Sequence, residues 1–171
     1  MSFAPFARPV GALRVALLAL ACASAGCANF SSIAPGDSAQ SVTDRVGKPV
    51  TVWKNSDGSE LWQYPQGYYA VQCFMVTIGP DQRVREIHQA RSDLYFSKVQ
   101  AGMSREDVHR LLGAPREIWY FPTRDEELWA WRYYETTYHF FNVLFDRTKG
   151  TVRSVLRVDE ILFLDGNRGS H

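Results

Sequence analysis

The chain has 171 residues, with 19 Lys and Arg against 18 Asp and Glu, so its formal charge is close to neutral. It carries no basic block, which argues against nucleic acid, whose binding rests on neutralising phosphates, and against polybasic attraction to anionic lipid. Its 13% aromatic content is ample for a packed core, and its three cysteines are too few for a disulfide framework.

Residues 1–26 read as a secretory signal and not as fold. Arg8 and Arg14 precede an apolar run from Val15 to Ala23, which is too short to cross the roughly 30 Å hydrocarbon core of a bilayer. Small residues follow, in Ala23-Ser24-Ala25-Gly26-Cys27. This stretch resembles the lipobox of bacterial lipoproteins, in which the cysteine is acylated and becomes the new N-terminus; Ser24 stands where Leu is usual. The resemblance implies lipidation of Cys27, and Ala28, in place of Asp, leans toward the outer membrane. Two rival readings stay open: Ala23-Ser24-Ala25 as an ordinary A-x-A cleavage site that releases a soluble periplasmic protein, and acylation of Cys22 instead. With Cys22 removed and Cys27 acylated, Cys73 has no disulfide partner. Residues 27–32 are expected to be a lipid-anchored linker.

A repeat unit is expected over 33–89. Ser38 caps a short helix with Val42 and Val46 on one stripe, and Gly47-Lys-Pro49 stops it. Strands are predicted over 50–54, 59–64, 71–78 and 83–88, with turns at Asn55-Ser-Asp57-Gly58 and Gly79-Pro80-Asp81. A connecting helix is expected over 90–98, centred on Leu94, Tyr95 and Lys98.

A second unit over 99–164 repeats the order with cleaner signals. Ser104-Arg-Glu-Asp107 is a capping-box variant, Val108, Leu111 and Leu112 form one stripe, and Gly113, expected in the left-handed C′ position, precedes the stop at Pro115. Strands are predicted over 116–121, 127–135, 140–146 and 151–158. In the second of these, Trp129, Trp131 and Tyr133 face one way, and Leu128, Ala130, Arg132 and Tyr134 the other. Ile161 to Leu164 is read as a last strand and 165–171 as a frayed tail.

The two units share rare residues in order: Gly36, Ser38, Gly47-Lys-Pro49, Trp53 and Glu60-Leu-Trp62-Gln-Tyr64 recur as Gly102, Ser104, Gly113-Ala-Pro115, Trp119 and Glu127-Leu-Trp129-Ala-Trp131. A fixed repeat sets architecture before any other argument. The expected class is α+β: a tandem repeat of short helices plus about four antiparallel strands, with helices on one face of a continuous or abutting sheet.

The stretch Ala101-Gly102-Met103-Ser104 through Val108 to Leu111-Leu112-Gly113-Ala-Pro115, with Val143-Leu-Phe145-Asp146, Gly150 and Val152 later, resembles the SmpA/OmlA (BamE-like) outer-membrane lipoprotein family. The tandem form resembles the β-lactamase-inhibitor-protein architecture. The first copy is degenerate, with Asp37 in the place of Met103 and Val46 in the place of Leu112. The resemblance implies a non-catalytic, periplasm-facing lipoprotein of the outer membrane whose partner is a protein, the β-barrel assembly machinery being the leading candidate. The duplication departs from the single-unit accessory subunit of that machine. An inhibitor-like protein gripping a secreted or periplasmic enzyme is the alternative.

Site candidates follow from composition. The aromatics of the second unit exceed what one sheet face can bury, so Trp119, Tyr120, Trp129, Trp131, Tyr133 and Tyr138 are the candidate partner-binding residues, with Tyr68-Tyr69 as an extension. A Cys73/His88 nucleophile pair defines a remote hydrolase reading. No histidine pair has metal-ligand spacing, and neither a cofactor nor a small-molecule substrate is expected. Asp125, Glu126 and Glu127 read as a solvated loop after a proline turn.

Overall fold

The structure, a computed structural model, describes residues 29–67 and 71–160. The expected signal over 1–26, Cys27, Tyr68-Tyr69, the strand expected over 161–164 and the tail expected over 165–171 lie outside the described residues. A 3-10 turn (Phe30–Ser32) leads into α1 (Ala39–Val46), β1 (Thr51–Lys54), β2 (Glu60–Gln66), β3 (Gln72–Ile78) and β4 (Val84–Gln89). The one-turn α2 (Asp93–Phe96) and α3 (Arg105–Leu112) come next, then β5 (Glu117–Phe121), a 3-10 turn (Pro122–Arg124), β6 (Glu126–Tyr134), β7 (Tyr138–Asp146) and β8 (Thr151–Asp159). The strands form two separate antiparallel sheets, β1-β2-β3-β4 and β5-β6-β7-β8. Of the two expected arrangements, continuous or abutting, the continuous sheet is excluded, and the strands form two similar four-stranded units.

The repeated residues are the ones that tie each unit together. Gly36 N–H donates to the Val84 carbonyl at 2.8 Å, and Gly102 N–H to Val152 at 2.9 Å. The cap serines follow, each as an isolated bridge, Ser38 with Arg83 and Ser104 with Thr151. The Ser38 hydroxyl accepts from Ser41 N–H at 3.1 Å; Ser104 completes a reciprocal capping box with Asp107. At the other end of each helix, Tyr64 Oη donates to the Gly47 carbonyl at 3.2 Å, and Trp131 Nε1 to the Gly113 carbonyl at 2.9 Å. The Glu-Leu-Trp motif closes on itself in both copies: Trp62 Nε1 donates to Glu60, and Trp129 Nε1 to Glu127. Each sheet also slips register at the same point, between Thr77 and Ile78 and between Leu144 and Phe145.

Strand alternation selects the core. In the first unit, Val42 of α1 shares a buried cluster with Trp62, Tyr64, Val76, Ile78 and Val84. In the second, Val108 and Leu112 of α3 and Phe96 of α2 join Trp129, Trp131, Phe141, Val143 and Phe145. Segment 27–32 is not all linker. Phe30 is buried, stacks on Phe74 with ring centroids 4.4 Å apart, and meets Tyr64 edge-on at 5.2 Å. A lone Phe has no periodicity to announce it, yet it completes the apolar face beside α1.

The first sheet has a second apolar face, with Cys73 and Met75 buried and Trp53 and Leu61 packed against them. The α2–α3 segment lies against it. Trp53 meets the His109 ring edge-on at 5.1 Å, and His88 stacks on Tyr95 at 4.1 Å. Arg91 Nη2 donates to the Ala114 carbonyl at 2.9 Å, and Arg110 bonds Asn55. The layers thus run α1, first sheet, α2–α3, second sheet.

Candidate functional site

The sheet register separates the aromatic residues that build the core from those available for contact. Trp129 and Trp131 pair across β7 with Val143 and Phe141, and Tyr133 with His139, on the face that meets α2 and α3. Trp131 is fully buried, and Tyr133 and Trp129 nearly so. As contact residues these three are corrected to core: they alternate onto the helix-facing side, where Phe96 packs edge-on to Tyr133 and flat on Phe141. Trp119 stands half-buried opposite Leu128 on the outer face. Tyr120 is 58% exposed on edge strand β5, with the Arg147 guanidinium 5.9 Å from its ring.

Tyr138 is 39% exposed and lies opposite Tyr134, itself 59% exposed, where β6 turns into β7. The two rings pack edge to face with centroids 5.0 Å apart. Arg132 supports them from the same face. It is almost fully buried, forks onto Glu160 at 2.7 and 2.8 Å, and lies 3.6 Å from the Tyr138 ring centroid. A guanidinium fixed by a carboxylate beneath an aromatic ring holds that ring through charge and quadrupole. Val71, Gln72 and Gln89 of the first unit join Tyr134 and Tyr138 around a hollow of about 270 Å³. Leu156, 57% exposed, shares the outer face through its pairing with Asn142. Tyr134 carried an aromatic signal in the sequence. Leu156 carried none, because one aliphatic residue in a strand is indistinguishable from core.

Cys73 and His88 share one face of the first sheet, since Cys73 is two residues from Met75 and Met75 pairs with His88. No hydrogen bond joins them. The Cys73 thiol is fully buried, and burial pushes it up to about 11, partly offset by the Arg91 charge and by bonds to Gln63 and to the Tyr64 backbone. Burial likewise holds His88 below its ordinary value, against the pull of Glu86. This setting opposes formation of a thiolate, the species a cysteine nucleophile needs.

The acidic run divides among structural roles. Asp125 takes a left-handed backbone at φ 51°, and its carbonyl and carboxylate accept from Arg147 and Thr148 N–H. Glu126 pairs with Arg153 at 3.3 Å. Glu127 corrects the solvated-loop expectation: it is buried in β6, where it accepts from Arg105 at 2.6 Å and from Trp129. Among the described residues, no three His, Cys, Asp or Glu side chains gather at a spacing that could hold a metal ion. None of the described helices is long and apolar enough to cross a membrane, which leaves strand-built spans unaddressed.

No family model and no curated protein matches the chain. Among solved structures, it is similar to a β-lactamase-inhibitor-like protein from Streptococcus mutans, at 11% identity and a TM-score of 0.32, covering 72% of this chain and 83% of that one. It is also similar to an extracellular protein containing an SCP domain from Bacillus anthracis, at 14% identity and a TM-score of 0.28 over 75% of this chain. The match spans 45% of the length of that protein.

Proposed function

We propose that the chain is a non-catalytic protein-binding or scaffolding module of the cell envelope, related to the SmpA/OmlA (BamE-like) lipoproteins. In this reading Cys27 is acylated, and the folded part faces the periplasm from the outer membrane. The observation that carries the binding role is the exposed Tyr134–Tyr138 pair beside its hollow, held by Arg132. Tyrosine anchors are enriched where interfaces concentrate their energy, because they combine large area with a polar tip.

Crosslinked recovery from envelope membranes tests the reading. The parent chain is expected to bring down subunits of the β-barrel assembly machinery. A Tyr134→Ala/Tyr138→Ala double variant with unchanged circular dichroism is expected to lose them. Recovery indifferent to the tyrosines would remove this face from the proposal. Mass spectrometry of the mature N-terminus is expected to find acylated Cys27; a chain beginning at Gly26 would instead indicate the A-x-A site and no anchor.

A second reading, an inhibitor-like protein that grips a periplasmic enzyme, draws support from the hollow, which residues of both units frame. Recovery of a soluble enzyme whose activity falls when the purified chain is added would favour it over the scaffold.

A further inference from the structure

The edges of the two sheets differ in how they are protected. The edge strands are β1 and β4 in the first sheet, β5 and β8 in the second. β4 and β8 are covered near their start: Val84 exchanges backbone bonds with Gly36 and Asp37, and Val152 with Gly102 and Met103. β8 also carries Arg153 and Arg157, and charges on an edge discourage pairing. β1 is four residues long and ends in the exposed Lys54. β5 has none of these protections. Its Glu117 is followed by Ile118-Trp119-Tyr120-Phe121, with no charge or proline before Pro122. Ile118 and Tyr120 are both exposed. Among the described residues β5 pairs with β6 alone. The repeat makes the contrast direct. Trp53 matches Trp119, Val52 matches Ile118, and Lys54 stands where the second unit has Tyr120.

An edge strand with exposed apolar side chains invites a further strand. The sequence of β5 is complementary to itself when two copies run antiparallel about a two-fold axis through Trp119. Ile118 of each copy then faces Tyr120 of the other, a pairing of β-branched with aromatic side chains that stabilises sheets. On the opposite face Glu117 faces Phe121, and the Arg124 guanidinium lies 5.2 Å from that Phe121 ring. The Arg124 side chain is 68% exposed, and Glu126, 3.8 Å away, is shared with Arg153 at 3.3 Å. Glu117 is half-buried and keeps acceptor capacity beyond its 3.2 Å bond from Arg116. Each end of the seam therefore sets a carboxylate beside a guanidinium, and the two-fold axis makes that contact twice. We infer that β5 is a dimerisation edge, and that its occupant is β5 of a second copy of this chain, antiparallel with Trp119 opposite Trp119. The second sheets of the two copies, four strands each, become one sheet of eight. The apolar pairs hold the copies together, and the Glu117–Arg124 pairs set the register. Five residues a side make a small interface, so the dimer is weak, with a Kd of roughly 10–100 µM. This inference rests on β5 and does not depend on the role proposed for Tyr134 and Tyr138.

The test is sedimentation velocity of the folded parent chain over a concentration series, with circular dichroism to check folding of each variant. A monomer–dimer equilibrium in that range is expected. Tyr120→Lys gives β5 the side chain that the first unit carries at the matching position. It is expected to weaken the dimer at least about tenfold, because it breaks the cross-strand pair at both ends of the seam. Glu117→Arg and Arg124→Glu are each expected to weaken it about tenfold, since like charges replace opposite ones twice. The Glu117→Arg/Arg124→Glu double variant is expected to return to within about threefold of the parent, the pair being restored with its signs exchanged. If Tyr120→Lys fails to fold, the charge-reversal set decides. A parent chain that stays monomeric up to about 1 mM would overturn the inference and leave the edge to a strand of a different protein. A dimer indifferent to Tyr120→Lys, or one that the single reversals do not weaken or the double reversal does not restore, would overturn it as well.

Discussion

At the scale of single residues, the duplication provides internal controls. Gly47 and Gly113 both end a helix with nearly the same backbone, φ 85° and 78° with ψ −175°. The expected left-handed helical cap is thus a mirrored extended one, a region open essentially to glycine. Alanine at either position should cost about 1–3 kcal/mol for backbone strain. The surroundings differ. A Cβ at Gly47 meets nothing, whereas at Gly113 it would come within 2.7 Å of Cys73 Sγ and 3.0 Å of Gln63 Nε2. Gly113→Ala should therefore destabilise more than Gly47→Ala in urea unfolding; equal losses would mean that the units do not meet at Gly113. Cys73 offers a second measurement at this scale. Burial raises its folded pKa above the unfolded value, so the folded state holds the proton more tightly. That stability is fully present below the ordinary thiol range and fades as pH rises from about 9 toward 11. Cys73→Ser at a buried site changes packing as well, so thiol labelling is the cleaner probe. The native protein should resist a thiol-specific reagent at pH 8 and react at the rate of global unfolding, while immediate labelling would contradict this burial.

At the scale of elements, much was legible because each element announces itself with specific chemistry. Ser104 and Asp107 marked α3 from its first residue, and Gly-x-Pro ended both longer helices. The β6 alternation correctly put Trp129, Trp131 and Tyr133 on one face and Ala130, Arg132 and Tyr134 on the other. Alternation says which residues share a face. It does not say which face another layer covers, and for that reason three core aromatics were expected at a surface. Similarly, the connecting helix expected over 90–98 is the single turn Asp93–Phe96, since beyond Ser97 the backbone bonds tighten to i→i−3, Lys98 N–H to the Tyr95 carbonyl and Val99 N–H to Phe96. The caps carry a prediction. Ser104→Ala removes the acceptor of the Asp107 N–H and the bond that the Ser104 hydroxyl donates to the Asp107 carboxylate, leaving only the backbone N–H half of the capping box, and should cost about 1 kcal/mol or more. Ser38→Ala loses one bond and has no acidic partner at the equivalent position, where Ser41 stands. Its loss should be the smaller of the two, and chemical denaturation of both variants side by side reads the difference; a larger loss for Ser38→Ala would mean that α1 leans on its cap more than α3 does.

At the scale of the molecule, the seam between the units decides whether it behaves as one body, and two half-buried imidazoles sit in that seam. His109 lies edge-on to Trp53 and His88 stacks on Tyr95. Burial holds both rings below their ordinary value, opposed by Glu106 at His109 and by Glu86 at His88, where Lys98 adds to the lowering. A histidine depressed in the folded state binds its proton more readily once unfolded, so unfolding takes up protons. The stability it contributes is present above the ordinary histidine pKa of about 6.5 and is lost as pH falls through the lower folded value. The depressed carboxylates Asp37, Asp57, Asp107 and Asp146 begin to matter only at more acidic pH, which leaves the window from about 7.5 to 5 to the histidines. Both rings keep some contact with solvent, so screening reduces the size of the effect but not its sign. Urea midpoints should therefore fall across that window, with tryptophan fluorescence and far-ultraviolet dichroism changing together, because the α2–α3 layer serves both sheets. A His88→Gln/His109→Gln variant should have a flatter pH profile than the parent while keeping a single transition. A variant with the parent's slope would exclude these histidines as its source, and two separated transitions in the parent would mean that the seam does not couple the units.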